Sequence, residues 1–381
     1  MSPASPQNVP KQPPKSPPKA PPTAVTAPQL PYRPRDPKRY RPGIALVGCG
    51  GITSWHLRAY RAAGYPVVAF CDIDIDCACT RRDEYYPDAD VTDDLGKVLA
   101  RDDVEVVDIA THTAVRPPLV EAALRAGKHV LSQKPFVVDL DEGERLADLA
   151  DRCGVKLAVN QNARWAPHMS YIREAVRQGV LGPLDAVHCD AHWDHGWARG
   201  TPFESIPHLI LFDFAIHWFD FLATIFPETQ PKRVFATTAR SATQPIAQPM
   251  LAQAVIEFPH AQASLVFDGN TRHGPLNRTL VIGQRGTLSS IGPTDRIQRV
   301  ELTTAAGTCI VPLEGCWFPH GFHGTMAELL CAVEERREPT NSARNNLASL
   351  ALCFAAVASA QRGEPVEPGT VRQLPDDGQR R

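Results

Sequence analysis

The chain has 381 residues, 43% of them hydrophobic and 22% charged, enough for two domains with substantial cores. The formal net charge of −2 is unevenly placed: residues 1–42 hold eight Lys/Arg against one acid, Asp36, a balance of +7 that leaves −9 for the remainder. That split argues against a folded nucleic-acid-binding surface, and no apolar run reaches the roughly 20 residues needed to cross a bilayer.

Residues 1–42 also hold fourteen of the 36 prolines, which predicts a disordered Pro/Lys-rich leader. It lacks both the apolar centre of a secretory signal and the Ser/Arg amphipathic pattern of a transit peptide. The ten cysteines are scattered, with only Cys77 and Cys79 two apart. That usage fits thiols acting as small core residues in a reduced, cytoplasmic compartment, without a structural zinc site.

From residue 43 strand and helix patterns alternate. GIALVG (43–48) reads as a buried strand, SWHLRAYRAAG (54–64) as a helix and VVAFCD (67–72) as a second strand. VTDDLGKVLARDD (91–103) reads as a helix and VEVVDIAT (104–111) as a strand. PPLVEAALRAGK (117–128) is helical, HVLSQKP (129–135) is a strand, DLDEGERLADLADRCG (139–154) is a helix with acids at its start, and KLAVNQN (156–162) is a fifth strand. Such alternation predicts a doubly wound parallel sheet over 43–162.

After residue 163 the pattern changes. Helices are predicted at 168–182, 209–226, 326–336 and 343–363, and strands at 184–193, 233–240, 251–258, 261–267, 278–283 and 299–306. This predicts an α+β domain with an open-faced, mainly antiparallel sheet over 163–366, followed by a frayed tail, 367–381.

The first strand runs into GCGGIT (48–53), a G-x-G-x-x-T turn before a helix, with Asp72 ending the next strand 24 residues after Gly48. Glycines let backbone N–H groups approach a pyrophosphate at the helix N-terminus, and the acid can accept from ribose hydroxyls while repelling a 2′-phosphate. Gly48, Gly50, Gly51, Ile52 and Asp72 are therefore candidate dinucleotide contacts, with NAD favoured and NADP possible.

The run GCGGIT … CDID … DIATHT … EAALRAGKHVLSQKP … FDFAIHWFD resembles the Gfo/Idh/MocA oxidoreductases, which include inositol and sugar dehydrogenases. The likeness covers about 43–366 and implies a Rossmann domain, an open-sheet domain, and homodimers or homotetramers joined through that sheet. It implies that Lys134, in the SQKP that aligns with the family's EKP, reaches the nicotinamide and the reacting hydroxyl. It aligns Asp213 and His217 with the family's D-x-x-x-H, and Thr111 and Asn160 fall among the cofactor positions. The sequence departs from the family at Gln133, where glutamate is usual, at His112 and Arg116, and in PHLILF before the D-x-x-x-H.

Spacing i, i+4 puts Asp213 and His217 on one helix face. A base that takes a hydroxyl proton as hydride leaves suits histidine near neutral pH, with Asp213 orienting the ring and Lys134 stabilising developing alkoxide. Arg164, Trp165, His192, Trp193, Asp194 and His195, in NQNARW and HWDHGW, supply the flat faces and polar tips a carbohydrate site uses. His192, Asp194, His195, His208, Asp213 and His217 lack a recognised ligand spacing, so no metal is expected. The predicted activity is an NAD(P)-dependent dehydrogenase of a sugar, cyclitol or polyol. The competing classes are an NAD-dependent glycoside hydrolase on the same fold and a non-catalytic NAD-binding sensor.

Overall fold

Apolar strands buried on both faces require helices on both sides, and the computed structural model, which describes residues 25–227, 229–294, 296 and 298–376, has that arrangement. Strands β1 (Gly43–Val47), β2 (Val67–Cys71), β3 (Asp90–Thr92), β4 (Val104–Ile109), β5 (His129–Gln133) and β6 (Leu157–Asn160) pair in parallel in the order 3-2-1-4-5-6. Between them run α1 (Thr53–Ala63), α2 (Ile75–Tyr85), α3 (Leu95–Leu99), α4 (Arg116–Arg125) and α5 (Leu140–Cys153). The acids read before α5 act as expected: Asp139 caps the helix by accepting from the N–H groups of Asp141 and Glu142. Strand β3 was not legible, because its three residues, DVT, carry no apolar run; only Leu95–Leu99 of the predicted 91–103 helix forms.

The second half comprises α6 (Pro167–Arg177), β7 (Leu184–His192), α7 (Ile216–Ile225), β8 (Arg233–Ala239), β9 (Leu251–Glu257), β10 (Gln262–Asp268), β11 (Leu276–Gly283), β12 (Gly286–Gly292), β13 (Arg299–Thr304), β14 (Gly307–Val311), α8 (Trp317–Glu334) and α9 (Ala343–Arg362). Its eight-stranded sheet has the order 14-13-12-11-7-10-9-8 and is antiparallel except for the β7–β10 pair. Two strands escape sequence reading: five of the seven residues of β12 (GTLSSIG) are Gly, Ser or Thr, and β14 (GTCIV) has only five residues and opens on Gly-Thr. The start of α8 is also hidden, by Pro319, Gly321 and Gly324, and Phe318 interrupts it with extended backbone.

The two halves share a core rather than meeting at a hinge. Helix α8 returns to the first sheet, where Phe322, Met326, Leu329 and Leu330 pack with Ile44, Leu46, Val106 and Leu131. Gly324 lies so close to Trp165 that an added Cβ would stand 2.1 Å from the indole Cγ.

Both chain ends depart from expectation. Residues 25–42 are not a free leader: Glu334 accepts from the backbone N–H groups of Lys38, Arg39 and Tyr40 at 2.8, 2.7 and 2.9 Å. Tyr171 donates to the carbonyl of Pro28 and Ser170 to that of Tyr32. An extended, proline-rich chain leaves its backbone groups unpaired internally, so side chains of α6 and α8 can take them. Residues 1–24 of the predicted leader lie outside the described residues. The tail is not frayed over 367–376 either. Leu140 donates to the carbonyl of Arg372 and Leu374 to that of Val138, both at 2.8 Å, while Arg372 pairs with Asp141 and Glu144. Residues 377–381 lie outside the described residues.

Candidate active site

The glycine turn is shaped by one close approach. Gly48 has φ +86°, and a Cβ there would stand 3.0 Å from the backbone of Ala110 and Thr111, so only glycine fits without strain. By contrast, Cβ atoms added at Gly50 or Gly51 would meet nothing within 4 Å. This opening at the start of α1 fits a pyrophosphate, and the buried Thr111 Oγ1 beside Gly48 lacks a hydrogen-bond partner. Ile52, on the same turn, is partly exposed.

The Asp72 carboxylate is engaged within the turn itself. Its Oδ2 accepts from Cys49 N–H at 2.6 Å and its Oδ1 from Asp74 N–H at 2.9 Å, so the carboxylate braces the turn. Arg81, on α2, donates to the carbonyl of Gly50 at 3.3 Å, bringing a cation to the same loop.

Lys134 follows β5 and precedes Pro135 across a cis peptide bond. Its Nζ lies 3.0 Å from Asp213 Oδ1 and 3.0 Å from the Asp213 carbonyl, joining the two halves of the chain. The buried Arg116 guanidinium supports this loop by donating to the carbonyls of Thr111, Gln133 and Pro135. Burial lowers its pKa to about 9.

The predicted 209–226 helix is divided into a π-helical turn, Ile210–Phe214, followed by α7. The Asp213 carboxylate is engaged by Lys134, and the expected Asp213–His217 hydrogen bond is absent; the wide turn changes the angular offset that i, i+4 implies. His217 is buried, its ring edge-to-face with Trp317 at 5.0 Å, and its buried Nδ1 has no hydrogen-bond partner among the described residues. Trp317 is itself held by Nε1–H donation to Asn162 Oδ1 at 2.6 Å. Burial, then the nearby Lys134 charge, pushes the His217 pKa well below the ordinary histidine value, so the ring is neutral.

The predicted substrate residues separate. Arg164 makes a bidentate pair with Asp220, both contacts at 2.6 Å, and Asp220 also accepts from Ser349. Arg164 is therefore an internal strut, and Trp165 is a core residue packed on Gly324 with Arg173 over its ring; neither meets the expectation of a substrate contact. Asn160 is fully buried with both amide ends bonded, to His56 and Thr325, behind Lys134 instead of at the cofactor surface. His192 and Trp193 are half-buried at the end of β7, and Asp194 is exposed. His195 is brought close to the centre: it packs on Phe214 at 4.3 Å, its Nδ1 is buried without a partner, and the charges of Asp213, Lys134 and Asp194 act on it. Sequence reading missed Trp197, which is 49% exposed and lies 5.9 Å from His195 and 5.0 Å from Phe203. The only available signal was the second tryptophan of HWDHGW. His112 reaches the same cluster from the first half, 6.0 Å from Phe203. Among the described residues no three His, Cys, Asp or Glu side chains gather to hold a metal.

Three buried histidines give the fold a pH dependence. Burial lowers the pKa of His168 to about 3 and of His195 to about 4, and His217 shifts the same way. The unfolded chain protonates these rings near pH 6.5 while the folded chain does not, so their stabilising effect is present above that pH and lost as pH falls towards 4. Each adds a slope approaching ~1.4 kcal/mol per pH unit in that window. Urea midpoints are expected to fall between pH 6.5 and 4.5, less so in His195→Gln; a midpoint that does not move in this range contradicts neutral burial.

Comparison with known proteins agrees with this architecture. Residues 43–161 match the model of the oxidoreductase family with an NAD-binding Rossmann fold, GFO_IDH_MocA, and residues 169–289 match the GFO/IDH/MocA C-terminal domain. The chain is 27% identical over 347 residues to D-apiose dehydrogenase of Paraburkholderia graminis, covering 85% of this chain and 88% of that protein. It is 26% identical over 326 residues to inositol 2-dehydrogenase of Rhizobium meliloti, covering 83% and 96%. An Agrobacterium radiobacter oxidoreductase solved with NAD+, L-tartaric acid and magnesium has the same fold, with a TM-score of 0.78, 21% identity, and coverage of 87% of this chain and 99% of that one. No helix of the described residues is long and apolar enough to cross a membrane. With its glycine turn, its Lys134–Asp213 junction and both halves matched, the chain belongs to the Gfo/Idh/MocA family of NAD-binding oxidoreductases.

Proposed function

We propose that this protein oxidises a secondary hydroxyl of a sugar, cyclitol or related polyol, or reduces the corresponding ketone, with NAD as redox partner. The observation that carries the reading is the meeting of Lys134 and Asp213, one from each half, beside the unpartnered, neutral rings of His217 and His195. Unpartnered polar atoms are rare in protein interiors and cluster where a ligand completes the hydrogen bonding. NAD, held by the Gly48–Ile52 turn and Asp72, supplies the hydride acceptor or donor.

Within this reading Lys134 binds the reacting oxygen and its charge favours alkoxide character there, while Asp213 holds the ammonium in place. His217, neutral and free to accept, takes the hydroxyl proton; in the reverse direction it returns that proton to the same oxygen. Trp193, Trp197 and Phe203 offer flat faces to sugar C–H groups, and the names of the two curated relatives, an apiose and an inositol dehydrogenase, support that substrate class. The Asp72 carboxylate favours NAD; the proximity of Arg81 leaves room for NADP. Exposed Phe235, Val255, Ile291 and Ile310 lie on the open face of the second sheet, which supports pairing with a second copy there.

The test is a panel of sugars, sugar acids and inositols incubated with NAD, read at the NADH absorbance band. NADH is expected to accumulate in proportion to substrate. Cleavage of a glycoside without net NADH would favour the hydrolase, and tight NAD binding without turnover of any member would favour a sensor.

A further inference from the structure

The groups behind Lys134 form a fully buried polar chain that the proposed chemistry does not use. His56, on α1, and Asp108, on β4, are both 0% exposed, with His56 Nδ1 2.7 Å from Asp108 Oδ2. Tyr60, one turn further along α1, donates to the same carboxylate oxygen at 2.6 Å. On its other side, His56 Nε2 lies 3.1 Å from Gln133 Nε2 and 3.2 Å from Asn160 Nδ2.

The orientation of the Gln133 amide follows from its second bond. Lys134 N–H, which can only donate, lies 2.8 Å from Gln133 Oε1, so the group turned towards His56 is the amide NH2. An NH2 donates, which leaves His56 Nε2 as an acceptor and places the ring proton on Nδ1, where it donates to Asp108. Every bond then has one donor and one acceptor. The chain runs from Asp108 through His56 and Gln133 to the backbone of Lys134, whose Nζ ends on Asp213.

We propose that His56, fixed by Asp108 as the neutral Nδ1–H tautomer, is a positioning residue for Lys134, acting through the Gln133 side chain. The proposal rests on the assignment of Lys134 to the reaction. A terminal ammonium on four methylenes is aimed by where its backbone is held, and catalytic groups misplaced by about 1 Å lose on the order of 100-fold in rate. Here the backbone N–H is clamped by a side chain that is itself clamped from behind. The carbonyl of Gln133 is held by Arg116, so side chain and backbone of the residue before Lys134 are both fixed. An amide at position 133 suits this arrangement because its NH2, like that of Asn160, can donate to the lone pair of a neutral Nε2. A carboxylate there would need a second proton on His56.

Two measurements on the full-length protein test this. The first is the 15N spectrum of histidine-labelled protein with NAD bound, with His56→Gln used to assign the signal. His56 is expected to show a protonated Nδ1 and an unprotonated Nε2, and Gln133→Glu is expected to protonate both. A resting Nε2–H tautomer overturns the proposal whatever the activity. The second is the kinetics of Gln133→Met, which removes the clamp but leaves the His56–Asp108 pair. Its kcat is expected to fall about 10-fold or more with the KM for NAD within twofold of wild type, and Gln133→Glu is expected to recover part of the loss through its own acceptor for Lys134 N–H. If Gln133→Met keeps its kcat while Lys134→Met loses it, the positioning role is wrong and the assignment of Lys134 stands. If neither variant loses kcat, the assignment of Lys134 fails and the positioning role with it.

Discussion

Lys134→Met is expected to lower kcat by about 100-fold or more while leaving NAD bound. Methionine keeps most of the aliphatic stem and removes the charge, so the substitution deletes the cation that the proposed mechanism sets against the reacting oxygen, without opening a large cavity. The cofactor turn is built from Gly48, Asp72 and the start of α1, none of which depends on the ammonium. The Asp213 carboxylate loses its partner, yet it is 15% exposed and can be hydrated, so the fold is expected to survive. Steady-state kinetics alongside NAD titration separates the two effects. Turnover close to wild type would remove Lys134 from the chemistry.

Arg164→Ala is expected to have the largest effect on stability, about 3–5 kcal/mol. Both charges of the Arg164–Asp220 pair are 2% exposed, and removing the guanidinium leaves Asp220 buried with only Ser349 and Asn346 as donors. Such a loss is a large share of the whole stability of a typical domain. Denaturant unfolding of the variant measures it directly. If Arg164 instead contacted substrate, KM would rise and the unfolding midpoint would stay in place.

The two expectations differ in how far the sequence alone reached them. The position of Lys134 was legible because HVLSQKP reads as a parallel strand with the lysine at its carboxyl end, the side on which such sheets bind ligands, and the lysine does follow β5. Arg164 was misread because an arginine between aromatic residues looks the same whether it faces a sugar or an aspartate. Its partner is 56 residues away, and nothing local to NQNARW announces Asp220. The opposite happened with Asp213 and His217: their spacing suggested a hydrogen-bonded pair, but the π-helical turn and the pull of Lys134 separated them.

Periodicity, glycine placement and strand-end acids sufficed to determine the fold class, the dinucleotide turn and the strand carrying Lys134, because these are properties of contiguous segments. Strand β3, with three residues, is too short for a period to register, and β12 and β14 open on Gly-Thr with few apolar residues to mark one; they form because neighbouring strands offer them a ladder. Only the tertiary structure could decide which polar groups meet: Lys134 with Asp213, Arg164 with Asp220, His56 with Asp108 and Gln133. A charge or an amide must be satisfied once it is buried, and the partner that satisfies it is chosen by packing across the whole chain, not by the residues beside it.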